Sequence, residues 1–516
     1  MPSKACTATV LALLGLFTIS PAAANVWYVA NGSNASDGNP GSAERPVNSV
    51  AKAVSLAKPG DTVVFSPGTY PCFQVTVPDG RSDQPILLRS EGQGKVIFTN
   101  DGSVNMLLLG SYNTVDGIEF HMASDRPRGF GIGIARKEHI VIRNCRFFAC
   151  QVGVNARSAH YLSIVNCEMA YSGAYGIHLN GSGQDSGGHW DPADENRDIE
   201  VRNCYLHDAG WNVRGAEGYG FTANGAAERV VIENCQIDDN SGDGILYEDW
   251  TQNSTARYNV IRGSGIAAIW IDNASMSVFD NNYLEANNVA VWLSGEESSN
   301  RYLSDFISIR NNIVVHNDWS VFDPTGKDPS VYGKVVFLIT SNTRDTYFDN
   351  NTVAFNRCQW LVRVRNAAPG PKGQNDFRNV WFRNNIFWKN TGGVGADQGV
   401  DFSQFRFVGN LWDKPYGGDR QAKTGDPLFV DSQAHNPEGY KIQSGSAARG
   451  QGMLLYENPL DFWNGARPHL SKTEKYDIGA HQFGKTGTAH IGLDLGAFPF
   501  PVPPYELRFK AKPPRE

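Results

Sequence analysis

A six-residue phrase recurs along this chain, and it limits the fold more than any other feature. It reads IRNCRF (Ile142–Phe147), IVNCEM (Ile164–Met169), VRNCYL (Val201–Leu206), IENCQI (Ile232–Ile237), FDNNYL (Phe279–Leu284), IRNNIV (Ile309–Val314), FDNNTV (Phe348–Val353) and FRNNIF (Phe382–Phe387). A weaker copy, ARYNVI (Ala256–Ile261), fills the longest interval, and VDGIEF (Val115–Phe120) and FVGNLW (Phe407–Trp412) extend the series at both ends. Self-similarity of this kind marks a stack of coils, each burying its apolar side only against its neighbours.

Within each phrase apolar residues alternate ahead of an asparagine, as in a half-buried strand. Asn tolerates the left-handed backbone conformation, so it suits a sharp bend between two strands. The next position is Cys in four phrases and Asn in four. Small Cys fits an interior, and stacked Asn amides can bond to one another along an axis. A second repeat accompanies the first: FGIGIA (Phe130–Ala135), VGVNAR (Val152–Arg157), YGIHLN (Tyr175–Asn180), YGFTAN (Tyr219–Asn224), DGILYE (Asp243–Glu248), AAIWID (Ala267–Asp272) and VAVWLS (Val289–Ser294). These are strands beginning at a tight corner. Two or three short strands per coil predict an all-β chain, a right-handed parallel β-helix. Helical arrays are excluded by the Asn, Gly and β-branched residues where helix interiors would fall.

Lys4, the apolar run Val10–Ile19 and Ala22–Ala24 make residues 1–24 read as a secretory signal, so a secreted or periplasmic location is expected. No run is long enough for a spanning helix. A formal charge of −7 argues against nucleic acid as partner. With 11% aromatic and 19% charged residues, the composition suits a neutral, sugar-like ligand and a monomer. Cys145, Cys167, Cys204 and Cys235 hold one repeat position and are expected to form an interior stack. No metal-binding cysteine spacing occurs.

Residues 25–60 should form a first strand and, over Pro46–Lys58, an amphipathic helix that caps the open end with Val50, Val54 and Ala57. Coils should run over 61–412. Residues 413–516 read as a closing segment with a Pro-rich tail.

On a β-helix, outward side chains at equivalent positions stand about 4.7–4.9 Å apart on successive coils. Aligning the second repeat places Asn155, His178, Thr222, Leu246, Trp270 and Trp292 in one outward row. Arg157, Asn180, Asn224, Glu248, Asp272 and Ser294 fall in another. Glu248 and Asp272 are therefore on consecutive coils, with Asp249 immediately after Glu248. Paired carboxylates suit glycoside hydrolysis: about 5–5.5 Å apart for retention, about 6.5–9.5 Å for inversion. Trp270 and Trp292 would offer apolar surface to a sugar ring. The plainer alternative is that Asp272 and Asn273 bond the local corner.

A second candidate is the loop Ser182–Arg197, with Asp185, His189, Trp190, Asp191, Asp194 and Glu195, followed by His207, Asp208, Trp211, Arg214 and Glu217. Histidine, arginine and carboxylates together could abstract a proton beside a uronate carboxyl. Carboxylates here, or Asp238, Asp239 and Asp243, could hold calcium, but ordinary turn composition accounts for them equally and no EF-hand spacing is present. No other cofactor is called for.

The whole mature chain resembles secreted right-handed parallel β-helix proteins that include polysaccharide lyases and glycoside hydrolases. The opening from Asn25, GDPLFVD (Gly425–Asp431) and YDIGAHQF (Tyr476–Phe483) carry that likeness. The stretch EDWTQNSTARYNVIRGSGIAAIWIDNASMSVFDNN resembles the catalytic coils of glycoside hydrolase family 120 and, more loosely, family 141. That resemblance implies a catalytic pair of Asp249, before Trp250, and Asp272. Strand counting instead puts Glu248 opposite Asp272, because one extra residue separates Gly244 from Trp250. The uronan epimerase motif would fall on Asp191-Pro192-Ala193-Asp194, where Ala replaces the working His. A lyase base has only Arg157 and Arg214 as candidates.

Three functions follow. The first is a glycoside hydrolase acting on a polysaccharide or oligosaccharide. In it Glu248 or Asp249 is nucleophile or base and Asp272 the acid; Trp250, Trp270 and Trp292 contact sugar, with His178, Asn180, Thr222 and Asn224 as polar subsites. The second is a polysaccharide lyase centred on residues 182–217. The third is a non-catalytic carbohydrate-binding solenoid.

Overall fold

A computed structural model describes residues 24–92, 94–124, 127–181, 194–210, 217–295, 303–317, 334–366, 376–468, 475–487, 490–494 and 498–501. Residues 1–23 of the expected leader and the Pro-rich tail after 501 lie outside these. The chain winds through three parallel sheets, with 16 (sheet I), 14 (sheet II) and 12 (sheet III) strands among the described residues. One coil shows the order: Glu138–Arg143 in sheet I, Arg146–Phe148 in sheet II and Val152–Arg157 in sheet III. The next coil pairs with it in parallel on all three.

The leading asparagine of each phrase turns the chain from sheet I to sheet II. All eight, from Asn144 to Asn384, have φ between 51° and 57°, the left-handed region that Asn enters at little cost. The residue after it points inward. Cys145, Cys167, Cys204 and Cys235 are free and fully buried. Their thiols donate to a carbonyl one coil back, as Cys204 does to Ile164.

From Asn259 onward the inward residue is Asn, and the interior changes character. Asn312 Oδ1 accepts from Asn282 N–H (2.9 Å) and Nδ2 (3.1 Å), while its own Nδ2 donates to Phe279 O and to Asn351 Oδ1. The pattern repeats through Asn385 to Asn410. Five residues further along each coil a second ladder forms, from Asn287 through Asn317 and Asn356 to Asn390. The ladder amides thus satisfy one another inside the solenoid, as burial requires. Between the ladders lie apolar columns: Phe348, Phe382 and Phe407 stack with ring centroids 4.3 and 4.6 Å apart, near the coil spacing.

The capping helix spans Val50–Leu56, shorter than Pro46–Lys58. The Ser49 hydroxyl accepts the Lys52 N–H and starts it, and Ala57 is already extended. Val50, Ala53 and Val54 cover the first coil's interior together with Val29, Val47 and Phe65.

The residues after Trp412 do two things. Asp419 closes the end of the first ladder, its Oδ2 accepting from Asn410 N–H, Asn410 Nδ2 and Trp412 Nε1. The segment from 426 onward does not stay at that end, where the sequence reading puts it. It runs back along the solenoid's flank. Asn384 Nδ2 donates to Met453 O, Asn311 Nδ2 to Asn458, Asn281 Nδ2 to Asp461 O, and Asp494 N–H to Asn203 Oδ1. The physical reason is at the corners, whose outward asparagine amides find their partners in this strap.

Candidate active site on the third sheet

The register of sheet III decides which side chains share its outer surface. Coil to coil it pairs Asn155 with His178, then Thr222, Leu246, Trp270 and Trp292, and continues to Leu338 and Arg363. Intervening Ile177, Phe221, Ile245, Ile269 and Val291 are buried core. In the neighbouring outward row Asn180 pairs with Asn224 and Asp272 with Ser294.

Glu248 completes this row. Leu246 pairs with Trp270 and Tyr247 with Ile271, and the Asp249 N–H donates to the Asp272 carbonyl at 3.1 Å. Glu248 is thereby in step with Asp272, one coil before it, and its Oε2 accepts from Asn224 Nδ2 at 2.8 Å. Asp249 and Trp250 leave the strand with φ of 38° and 69°. They are the extra residue and its turn, and Asn273 Nδ2 donates to Asp249 Oδ1 at 3.4 Å.

On the far side of Asp272, Trp270 and Trp292 stack with centroids 4.2 Å apart and planes 6° apart. Such a stack covers ring faces and turns edges outward. The pair makes an apolar wall. Trp292 is 7% exposed, packed with Val335 and Leu338, and its indole N–H donates to Thr340 Oγ1. Trp270 Nε1 donates to Ser294 Oγ, and that hydroxyl donates to Asp272 Oδ1, both at 2.8 Å.

The other side of the carboxylates is polar. His178 Nε2 and Thr222 Oγ1 are buried and make no hydrogen bond. Burial lowers the His178 pKa to about 4, so the ring is neutral at ordinary pH. Tyr175 stacks on His178 at 4.2 Å and faces Tyr219 at 5.2 Å. Tyr219 Oη donates to Glu217 at 2.7 Å. Asp243 is fully buried, its Oδ1 accepting the Ala267 N–H. Burial above all, with the fields of Glu217 and Glu248, holds its carboxyl well above the usual range.

The tyrosines and Glu217 escaped the sequence reading of this surface. The signal for Tyr175 and Tyr219 was present: both precede the Gly of the second repeat, and they pair in register. Glu217 lies outside the repeat and had none.

Of the second candidate, only part lies among the described residues. Arg157 is paired with Asp194 at 2.9 Å. His207 lies on sheet II, buried between Glu168 (3.1 Å) and Asp208 (2.7 Å). Asp185, His189, Trp190, Asp191, Trp211 and Arg214 lie outside the described residues. Among the described residues no group of three His, Cys, Asp or Glu side chains is arranged to hold a metal ion, and no helix is long and apolar enough to cross a membrane.

The right handed beta helix region family matches residues 90–259 and 130–353, together more than half of the chain. The chain belongs to the right-handed β-helix family. No curated protein matches it. Solved structures similar to it include XylC in complex with xylose, with a TM-score of 0.52 at 12% identity over 90% of this chain and 99% of that one. The PL6 family alginate lyase AlyGC gives 0.53 at 15% identity over 88% and 58%. A GH136 lacto-N-biosidase from Eubacterium ramulus gives 0.51 at 14% over 74% and 67%. At such identity these are likenesses of fold, and the fold is one that carbohydrate-active proteins share.

Proposed function

We propose that the chain is an exported glycoside hydrolase acting on an oligosaccharide or polysaccharide, with Glu248 and Asp272 as its carboxylate pair. One observation carries this reading. The two acids hold the same outward position on consecutive coils, between an apolar wall (Trp270) and two buried polar atoms lacking partners (His178 Nε2 and Thr222 Oγ1).

Neighbouring coils are about 4.8 Å apart, close to the ~5–5.5 Å carboxyl separation of retaining enzymes. We therefore assign Glu248 as nucleophile and Asp272 as proton donor to the leaving oxygen. Asp272 then takes a proton from the water that releases the sugar. Ser294 fixes the orientation of Asp272. Asp249, in the turn, orients Asn273. The leader pattern of residues 1–24 supports export, and the fold relatives that include a xylose complex and a lacto-N-biosidase are consistent with a sugar substrate.

The test uses Glu248→Gln, Asp272→Asn and Asp249→Asn on a panel of aryl glycosides and oligosaccharides. The first two should each lower kcat by about 10²–10⁴-fold, and Asp249→Asn by far less. Full activity in both of the first two overturns the assignment. Retention should appear as a product of unchanged anomeric configuration in time-resolved NMR.

A further inference from the structure

The strap holds a cavity of about 480 Å³ whose walls come from residues 449–450, 468, 475, 477 and 482–485. That volume lies in the range of small-ligand sites, about 300–1,000 Å³. Two buried polar side chains build its floor. Asp477 Oδ1 accepts the Gly450 N–H at 2.6 Å and Oδ2 the Phe483 N–H at 2.7 Å. Gln482 Oε1 accepts the Asp477 N–H, and its Nε2 donates to Lys475 O, both at 3.0 Å. These bonds tie together the stretches around 450, 476 and 483, so the cavity has a fixed shape.

Three cations line it: Arg449, Lys475 and Lys485. Among the described residues of the lining the carboxylate is Asp477, which already accepts a backbone N–H on each oxygen. In a chain of formal charge −7 this is a local excess of positive charge. The Arg449 guanidinium lies 4.1 Å over the Phe483 ring, and its Nη1 donates to Ser444 O; together these contacts hold its plane in place. A fixed guanidinium fork matches the two oxygens of a carboxylate, and the aromatic ring gives apolar surface beside it.

We propose that this cavity binds an acidic sugar residue, a hexuronate unit of a glycan, through its carboxylate. Arg449 clamps the carboxylate, and Lys475 balances its charge. The sugar part of the ligand rests on the carbohydrate reading above; the anion part does not.

Calorimetric titration of the full chain, and of its Glu248→Gln variant, with glucuronate, glucose and inorganic phosphate tests it. Glucuronate should bind both proteins, more tightly than phosphate, and glucose should not bind. The Arg449→Gln/Lys475→Gln double variant, altered only at exposed side chains, should melt as the parent does. It should bind glucuronate about tenfold more weakly or worse, the scale of one lost charge-assisted hydrogen bond. The proposal is overturned if glucuronate does not bind, if the double variant binds it unchanged, or if phosphate binds equally well. Binding lost in Glu248→Gln yet kept in the double variant also overturns it, placing the uronate on sheet III. Failure of the hydrolase reading, by contrast, leaves glucuronate binding to the strap intact.

Discussion

Ser294 donates its hydroxyl hydrogen to Asp272 Oδ1 at 2.8 Å from the next coil. The same hydroxyl accepts the Trp270 indole N–H. The proposed proton donor and the apolar wall beside it thus share one positioning group. Ser294→Ala should lower kcat on the order of tenfold, the cost of one such bond, with KM nearly unchanged. Tryptophan emission should shift as Trp270 loses its partner. Steady-state kinetics and fluorescence of one preparation check both.

The amide ladder makes a quantitative claim about Asn312. Replacing it by Ala strips two donors of Asn282 and the acceptors Phe279 O and Asn351 Oδ1. The loss should be about 2–5 kcal/mol, because buried partners are left unmet. Asn312→Cys should cost less, since the early coils place Cys at this position and its thiol can still donate to a carbonyl. Urea midpoints of the two variants decide the order.

Two histidines set an acid limit. Burial holds His178 and His481 at about 4 in the folded chain, against about 6.5 in an unfolded one. Between those values the unfolded state binds more protons, so stability falls as pH drops from about 6.5 to about 4 and this loss levels off below. Melting temperatures measured from pH 7 to pH 4 should show the decline. His178→Gln should flatten part of it.

Arg467 is 2% exposed and donates to Leu460 O, Asp477 O, Gly479 O and Asn311 Oδ1. It joins the strap to a solenoid corner. Arg467→Ala should cost about 3 kcal/mol or more, from several buried acceptors left unpaired. Lys should rescue little, lacking the fork. Limited proteolysis should then cut within residues 426–501 before it cuts the coils.

The coils were legible because their rules are local. A left-handed corner favours Asn, an inward position wants Cys or a self-pairing Asn, and alternation separates inside from outside; each leaves its mark within six residues. The same ruler places Glu248 opposite Asp272 and His178 beside Thr222. What it could not reach depends on long-range contact. Glu217 lies outside the repeat, so the ruler gives it no place, although Tyr219, which it bonds, is only two residues on. The strap joins Asn281 to Asp461 across 180 residues, with no periodic signal in its own sequence. The ruler also sets Trp270 beside Trp292, but register fixes neighbours and not which part of a ring they leave uncovered.

The strap also has a consequence for how such a chain can change over evolutionary time. An open solenoid can gain or lose a unit anywhere, since each touches only its neighbours. Here one length of backbone is matched to Asn384, Asn311, Asn281 and Asn203 in turn. Inserting one coil between any two of them would displace every later anchor by about 4.8 Å, more than a hydrogen bond can bridge. The protein therefore carries its own tally of turns: loops can lengthen freely, but the number of coils cannot drift.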